Sequence, residues 1–312
     1  MIIVYGSIYI DIEFEISSGS AMDCAFLQAD QYHIKSSGRA PNQALAAVRS
    51  GAKTGLIGRI GNDIFAGNIL QNIRKEGVIT SGVAQGDEPT GMQIHLRRGA
   101  DNSQRIYTPG ANTGVSADQA PSEVLGEGAL VLLQTDLSFD QNMEILQKAK
   151  KSGATTILNL SPSIEMKQKM LDLVDYLIVN SDEAAKLAGK MDISATQNAL
   201  KIAHGLSKQG KLTCILTQGE KGCIAVTKEG AGWSMSALNL EEVTDKAGAE
   251  DAFCGTFAAC IQSGLPIASS LKRASIAATL TCTKKGIHEA LPYLDDIEQQ
   301  MANLPEAEQA SF

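Results

Sequence analysis

Short apolar runs recur along the chain, and most are followed by a longer stretch in which apolar residues return every three or four positions. The runs at 2–6 (IIVYG), 54–59 (TGLIGR), 130–134 (LVLLQ), 155–159 (TTILN), 175–179 (DYLIV), 212–217 (LTCILT) and 222–227 (GCIAVT) predict strands. The stretches at 42–50, 63–76, 139–152, 181–189 and 194–208 predict helices. Strands that alternate with helices are joined by right-handed crossovers, which builds a parallel sheet covered on both faces. Near-continuous apolar runs such as LVLLQ suit strands buried on both sides.

Two segments break this rhythm. Residues 10–37 are β-like with no helical period, and residues 90–98 (TGMQIHLRR) alternate. The alternation puts Met92, Ile94 and Leu96 on one face and Gln93, His95 and Arg97 on the other, as in a half-exposed strand. The simplest arrangement is one α/β domain over 1–312 with a small second sheet lying on it, made from insertions at about 10–37 and 90–108. The chain has no Pro- or Ser-rich linker and no repeat, and its tail, PEAEQASF, is expected to fray.

Composition narrows the function classes. With 312 residues and 44% hydrophobic content, the chain can bury a full core. A net charge of −8 argues against a sequence-independent grip on nucleic acid and against an anionic membrane surface. No apolar run approaches the ~18–20 residues of a membrane span. The apolar start, MIIVYGSIYIDIEFEI, has no basic flank and reads as a strand rather than a signal peptide. The six cysteines form no C-x-x-C pair and read as free thiols of a reducing cytoplasm. The four histidines have no zinc-ligand spacing.

Two stretches carry candidate chemistry. Ser37-Gly38-Arg39-Ala40-Pro41-Asn42-Gln43-Ala44 places a Gly turn before a helix that is expected to begin near Asn42, with Asn as its cap. Read alone, it is equally an ordinary capped helix. Asp245-Lys246-Ala247-Gly248-Ala249-Glu250-Asp251 leads into CGTFAACIQSG, a helix of small residues suited to close central packing. The free N–H groups at Gly248 and Ala249 form a natural anion site. Asp251 could face the same spot as a general base; alternatively, Glu250 and Asp251 merely complement the helix dipole. A dinucleotide-dependent oxidoreductase is poorly supported, because strand one ends in GSIYID and not in G-x-G-x-x-G.

Taken together, these stretches resemble the ribokinase-like (PfkB) sugar kinase family along nearly the whole chain. Asn42-Gln43-Ala44 and Gly110-Ala111-Asn112 resemble its ribokinase branch most. Gly6, Ser7 and Asp11 match the family's N-terminal G-S-x-x-x-D. Gly38 and Asn42, followed by Gly58, Gly61 and Asp63, are similar to its first signature. Asn180-Ser181-Asp182-Glu183 matches N-x-x-E, Thr217 to Gly222 matches T-x-G-x-x-G, and Asp245 to Asp251 is similar to D-T-x-G-A-G-D.

The resemblance implies a doubly wound, mainly parallel α/β sheet with helices on both faces and a small β lid. It implies an ATP- and Mg²⁺-dependent kinase that phosphorylates a hydroxymethyl group on a small sugar, or on a nucleoside as the alternative acceptor. In that reading Asp251 is the base, and Gly248 and Ala249 form the anion hole. Asp11, Gly38, Asn42 and, in the lid, Asn102 contact the sugar. Asn180 and Glu183 organise metal and phosphate, with Glu183 as the metal-side carboxylate. Thr217, Gly219, Gly222 and Ser275 border the nucleotide. A monovalent cation is left open, and a homodimer through the lid is implied.

The chain also departs from the family pattern. Ser37-Gly38 stands for a double Gly, Arg39-Ala40 for Lys-Gly, and Tyr9 for an Asn; Asn102 aligns with an acidic sugar contact and Ser275 with an Asn. These changes are expected on the sugar side. Glu250 replaces the Gly of the anion hole. At ~5 Å from phosphoryl oxygens and an effective dielectric of ~20, its charge would cost ~3 kcal/mol, roughly a hundredfold in rate. Three outcomes stay open: the carboxylate points to solvent, it helps hold a metal, or activity is weakened or lost and a sugar- or nucleotide-binding protein remains. Lys246, in the same turn, is expected to neutralise Glu250.

Overall fold

The computed structural model describes residues 1–17, 26–98, 102–162, 166–193, 198–240 and 242–310. In chain order the strands are β1 (Ile2–Tyr5), β2 (Tyr9–Ile16), β3 (Ala29–Ser37), β4 (Thr54–Ile60), β5 (Ile79–Gln85), β6 (Gly91–Arg98), β7 (Asn102–Thr108), β8 (Leu130–Gln134), β9 (Thr155–Asn159), β10 (Tyr176–Asn180), β11 (Thr213–Thr217), β12 (Cys223–Val226), β13 (Gly232–Met235) and β14 (Glu308–Ala310). The helices are α1 (Arg39–Arg49), α2 (Ile64–Lys75), α3 (Phe139–Ser152), α4 (Gln168–Leu171), α5 (Ser181–Lys190), α6 (Ala199–Gly210), α7 (Ala249–Gln262), α8 (Ile267–Thr281) and α9 (Leu294–Gln300).

Ten strands form the main sheet in the order β14-β13-β12-β11-β10-β9-β8-β1-β4-β5. Pairing is parallel from β11 to β5 and antiparallel from β11 to β14. Alternate side chains of the buried strands feed two cores. Ile2, Val4, Leu130 and Leu132 join α1, α2, α7 and α8 on one face. Ile3, Tyr5, Val131 and Leu133 join α3, α5 and α6 on the other. This two-sided burial explains the unbroken apolar runs and is the doubly wound architecture expected from them.

The strands missed by the apolar pattern lie at the sheet's margins. β5 (ITSGVAQ) is an edge strand of mixed polarity, and β13 and β14 extend the antiparallel wing. The tail does not fray throughout: Glu308–Ala310 pair with Gly232–Ser234. Backbone hydrogen bonding to an open edge outweighs the polar composition there.

β2, β3, β6 and β7 form a separate four-stranded sheet in the order β3-β2-β6-β7, with β2 and β6 parallel. Its register sorts the side chains. Ile34, Ile12, Ile94 and Ile106 align across the four strands on one face, and Lys35, Asp11, Gln93 and Tyr107 align on the other. The alternation expected for 90–98 therefore holds. Among the described residues Cys214, Cys223, Cys254, Cys260 and Cys282 are free thiols, all buried except the half-buried Cys282; Cys24 lies outside them.

Candidate active site at the carboxyl edge of the sheet

The chain moves from β1 toward β4 and β5 on one side, and from β8 toward β11 on the other. Parallel strands that diverge in this way open a crevice at their carboxyl ends, where ligands of open α/β sheets bind. Ser7, just beyond β1, and Asp136, just beyond β8, meet there: the Ser7 hydroxyl donates to Asp136 Oδ2. Asp136 Oδ1 is buried without a hydrogen-bond partner. Burial pushes the Asp136 pKa up, against the Ser7 hydrogen bond and the Arg39 charge, which lower it. The sequence motifs did not single out Asp136. The available signal was a carboxylate two residues past an apolar parallel strand.

α1 starts three residues earlier than expected. Gly38 is its N-cap, in a positive-φ conformation (φ 116°), and a Cβ there would meet Ser7 O at 2.5 Å. Asn42 is therefore no cap but a residue of the helix, with its N–H bonded to Gly38 O. That frees its side chain to donate from Nδ2 to Asp251 Oδ2 at 2.8 Å. Gln43 Nε2 donates to Asp251 Oδ1 at 3.0 Å and to Asn159 Oδ1 at 3.1 Å. Gln134 Nε2 donates in turn to Gln43 Oε1 at 2.7 Å. Gln134 and Asn159 each end a buried apolar strand, so they too carried a signal that motif matching passed over.

α7 brings Asp251 into this network. Gly248 caps it in the left-handed conformation (φ 82°), and no side chain caps its first turn. No side chain therefore occupies the leading amides, and the Ala249 N–H makes only a long bond, 3.4 Å, to Lys246 O, so an anion can compete for it. The helix lies close on α1, because a Cβ at Gly255 would come within 2.5 Å of Gln43 O and 2.6 Å of Ala46 Cβ. Small residues predicted this close packing, and here it sets the reach of Asn42 and Gln43 to Asp251. Asp251 is 6% exposed. Burial raises its pKa to about 6, despite Arg39, Asn42 and Gln43, which favour the charged form; Glu250 adds to the rise.

Glu250 does not simply face solvent. Asn159 Nδ2 donates to its Oε1 at 2.7 Å, and Arg39 Nη1 stands 3.6 Å from its Oε2 and 3.9 Å from Asp251 Oδ1. Lys246 does not neutralise it; its ammonium bonds Glu220 at 2.9 Å, and both are exposed. Arg39, placed by the sequence reading on the sugar side, thus lies beside Glu250 and Asp251. Burial works against its charge, but Asp251, Glu250, Tyr9 and Asp136 outweigh that and hold its pKa above the usual value.

Tyr9 lies in the same corner, with its ring edge-on to Tyr107 at 5.8 Å. Burial, then the charges of Asp11, Asp136 and Asp251, push its hydroxyl pKa up, with Arg39 opposing. Asp11, two residues along β2 on the same face, accepts from Gln93 Nε2 at 3.2 Å and lies 3.5 Å from His95 Nε2. Asn102 opens β7, and its side chain lies outside the described residues. Asp63 is an anchoring residue: it caps α2 and accepts from Thr90 N and Oγ1.

Beyond Glu250 opens a cavity of about 570 Å³ whose walls include Asn180, Thr217, Gly219, Gly222, Ala249 and Ser275. All the expected nucleotide-side residues except Glu183 therefore line one space. Gly222 must be glycine (φ 89°), since a Cβ would strike Met235 O at 2.0 Å. Glu183 sits behind the wall, where Asn180 and Glu183 cap α5 reciprocally: Asn180 N donates to Glu183 Oε2 at 3.0 Å, and Glu183 N to Asn180 Oδ1 at 2.9 Å. Burial raises its pKa, the Asn180 N–H lowers it and the Glu250 charge raises it again. No helix is long and apolar enough to cross a membrane among the described residues.

Comparison with known proteins bears on the family and the fold. The chain is 29% identical over 273 residues to the ribokinase of Haemophilus influenzae, covering 85% of this chain and 87% of that one. It is 27% identical over 281 residues to the deoxyribokinase of Salmonella typhi, covering 88% and 90%. Among solved structures, the Arabidopsis thaliana ribokinase complexed with ribose and ATP superposes with a TM-score of 0.86 at 25% identity, over 96% of this chain and 98% of that one. The Thermotoga maritima ribokinase superposes with a TM-score of 0.88 at 22% identity, over 97% and 99%, and shows the shared fold. Residues 1–293 match the sequence model of the pfkB family carbohydrate kinases, and the chain belongs to that family.

Proposed function

We propose that this carbohydrate kinase moves the terminal phosphoryl group of ATP to a hydroxymethyl group of a small sugar, with Asp251 as the base. The observation that carries this reading is the position of Asp251. It is a buried carboxylate in the first turn of an uncapped helix, next in sequence to the cavity-lining Glu250 and close enough to Tyr9 of the lid to act on its charge. Asp251 takes the proton of the acceptor hydroxyl. The oxygen attacks the terminal phosphorus, the bond to the bridging oxygen breaks, and its electron pair leaves on ADP. Amides at Gly248 and Ala249 receive the charge on the transferring group. Asp11, Gly38, Asn42, Asn102 and Asp136 form the acceptor side. Asn180, Thr217, Gly219, Gly222 and Ser275 form the ATP side.

The donor set suits Mg²⁺. The Glu183 carboxylate is a hard oxygen donor, and no group of three or more His, Cys, Asp or Glu among the described residues could cage a metal. A cation there would be shared with the phosphates, as Mg²⁺ usually is. When bound it supplies charge neutralisation on the phosphate oxygens. Glu183 is the carboxylate that would hold it, since Glu250 is already taken by Arg39 and Asn159.

A pentose is the favoured acceptor, since the named relatives are ribokinases and a deoxyribokinase. The lid is proposed to join two copies, because its apolar face exposes Tyr32 (62%), Ile34 (49%) and Ile106 (57%). A cytoplasmic location accords with ATP as donor and with the free thiols. A second reading, a binding protein with weakened catalysis, rests on the Glu250 charge at the anion site. Arg39 and Asn159 beside that carboxylate favour the active kinase.

The test is ADP release over pentoses, deoxypentoses, hexoses and nucleosides, run beside Asp251→Asn. A pentose turned over at least a hundredfold faster than by the variant is expected, in the range of general-base effects. No acceptor turned over faster than by the variant would overturn the kinase reading.

A further inference from the structure

Asp251 is oriented by Asn42, and Asn42 meets a residue from near the other end of the chain. His288 Nε2 stands 3.1 Å from Asn42 Oδ1. The Asn42 amide has one accepting and one donating end. With Nδ2 donating to Asp251 Oδ2, Oδ1 is left to accept from the ring. Burial, and secondly the Arg49 charge, lower the His288 pKa against Glu289 and Glu76, so the ring is neutral at pH 7 and carries one proton. For this hydrogen bond that proton must sit on Nε2.

The loop that carries His288 is anchored to the same helix as Asn42. Arg49, at the end of α1, donates from Nη1 to His288 O at 2.6 Å and to Leu291 O at 2.7 Å. Glu76 pairs with Arg49 at 2.8 Å, and the Tyr293 ring lies 4.5 Å from the guanidinium. Ring and amide therefore share one support.

We infer that His288 is a positioning residue for phosphoryl transfer: its Nε2–H fixes the Asn42 amide so that an N–H, and not a carbonyl, faces Asp251. The inference rests on Asp251 being the base. Without the donor, Asn42 can rotate and turn Oδ1 toward the carboxylate, leaving Gln43 as the remaining amide donor. Loss of a hydrogen bond to the charged form makes that form harder to reach. The charged and titratable groups facing Asp251 are Arg39 from α1, Glu250 and Cys254 from α7 and Tyr9 from β2. Those facing His288 are Arg49, Glu76 and Glu289. Substitution at 288 removes none of the groups that face Asp251.

The experiment compares His288→Leu, His288→Gln and wild type by kcat/KM against pH, with ATP affinity and thermal melting measured alongside. In His288→Leu the acid limb is expected to move up by about one pH unit, with ATP affinity unchanged. The Gln amide can donate from a similar position, and it is expected to return most of the shift. A wild-type profile in His288→Leu overturns the inference. Asp251→Asn separates the two readings: if it is as fast as wild type, the base assignment itself falls; if it is slow while His288→Leu is normal, only the role of His288 falls. Should His288→Leu fail to fold, ring ¹⁵N shifts of the wild-type protein decide. A neutral Nε2–H tautomer supports the role, and an Nδ1–H tautomer overturns it.

Discussion

The Arg39 guanidinium stands 3.6 Å from the Glu250 carboxylate, so two departures from the family pattern meet as an ion pair beside Asp251. Each side chain is about a quarter exposed. The charge that Glu250 brings to the anion site is thereby countered from α1, and Asn159 holds the same carboxylate from β9.

This pairing predicts a non-additive double-mutant cycle. Arg39→Met leaves Glu250 uncompensated near the phosphates and is expected to lower kcat/KM about a hundredfold, the scale of a ~3 kcal/mol repulsion. Adding Glu250→Gly should regain at least a tenfold part of that loss, while Glu250→Gly alone changes the rate much less. Steady-state ADP release on the four proteins checks this. Simple additivity would show that the two residues act separately.

The Asp251 pKa predicts opposite pH trends for rate and stability. As the base, Asp251 must be ionised, so kcat/KM is expected to fall below about pH 6. For stability, burial raises the folded-state pKa above the unfolded value, so the folded state binds the extra proton between about pH 4 and 6. Stability from this group is therefore present at low pH and lost as pH rises through about 6. Asp251→Asn should melt a few degrees higher than wild type at pH 8, with the gain vanishing near pH 4. Melting curves at both values test the sign.

Gly255 sets the distance between α1 and α7. Gly255→Ala would place a methyl group within 2.6 Å of Ala46 Cβ and force the helices apart. Overpacking of this kind costs about 1–3 kcal/mol. The same displacement lengthens the Asn42 and Gln43 bonds to Asp251, so kcat is expected to drop as well. Thermal melting and turnover should fall together; a loss of stability with normal kcat would mean that Asp251 does not depend on this packing.

The isoleucine ladder of the lid predicts a concentration-dependent dimer. Ile34→Asp with Ile106→Asp puts charges on both margins of the exposed apolar face and should give a monomer by sedimentation. The melting temperature is expected to move little, because both side chains are already about half exposed. A wild-type monomer at all concentrations would remove the lid interface from the picture.

Much of the fold was legible in the sequence because burial on both faces leaves a one-dimensional trace. LVLLQ, TTILN and DYLIV each have an apolar centre with no polar alternation, and the alternation of TGMQIHLRR marks a sheet with two unlike faces. The margins were less legible, since β13 and β14 are held by backbone bonds to a neighbouring edge and need no apolar pattern. The Gly turns and the uncapped start of α7 were also readable, since positive φ and exposed amides are local properties.

The sequence by itself determined the α/β alternation, the lid's two faces and the residue types available for phosphoryl transfer. Only the tertiary structure decided their partners. Asn42 and Asp251 lie 209 positions apart, and their bond depends on two helices approaching across Gly255. Likewise, Glu250 takes Arg39 rather than its near neighbour Lys246, because Lys246 is turned to the surface and to Glu220. Charge pairing is settled by distance and burial in space, and neither quantity is written in the order of residues along the chain.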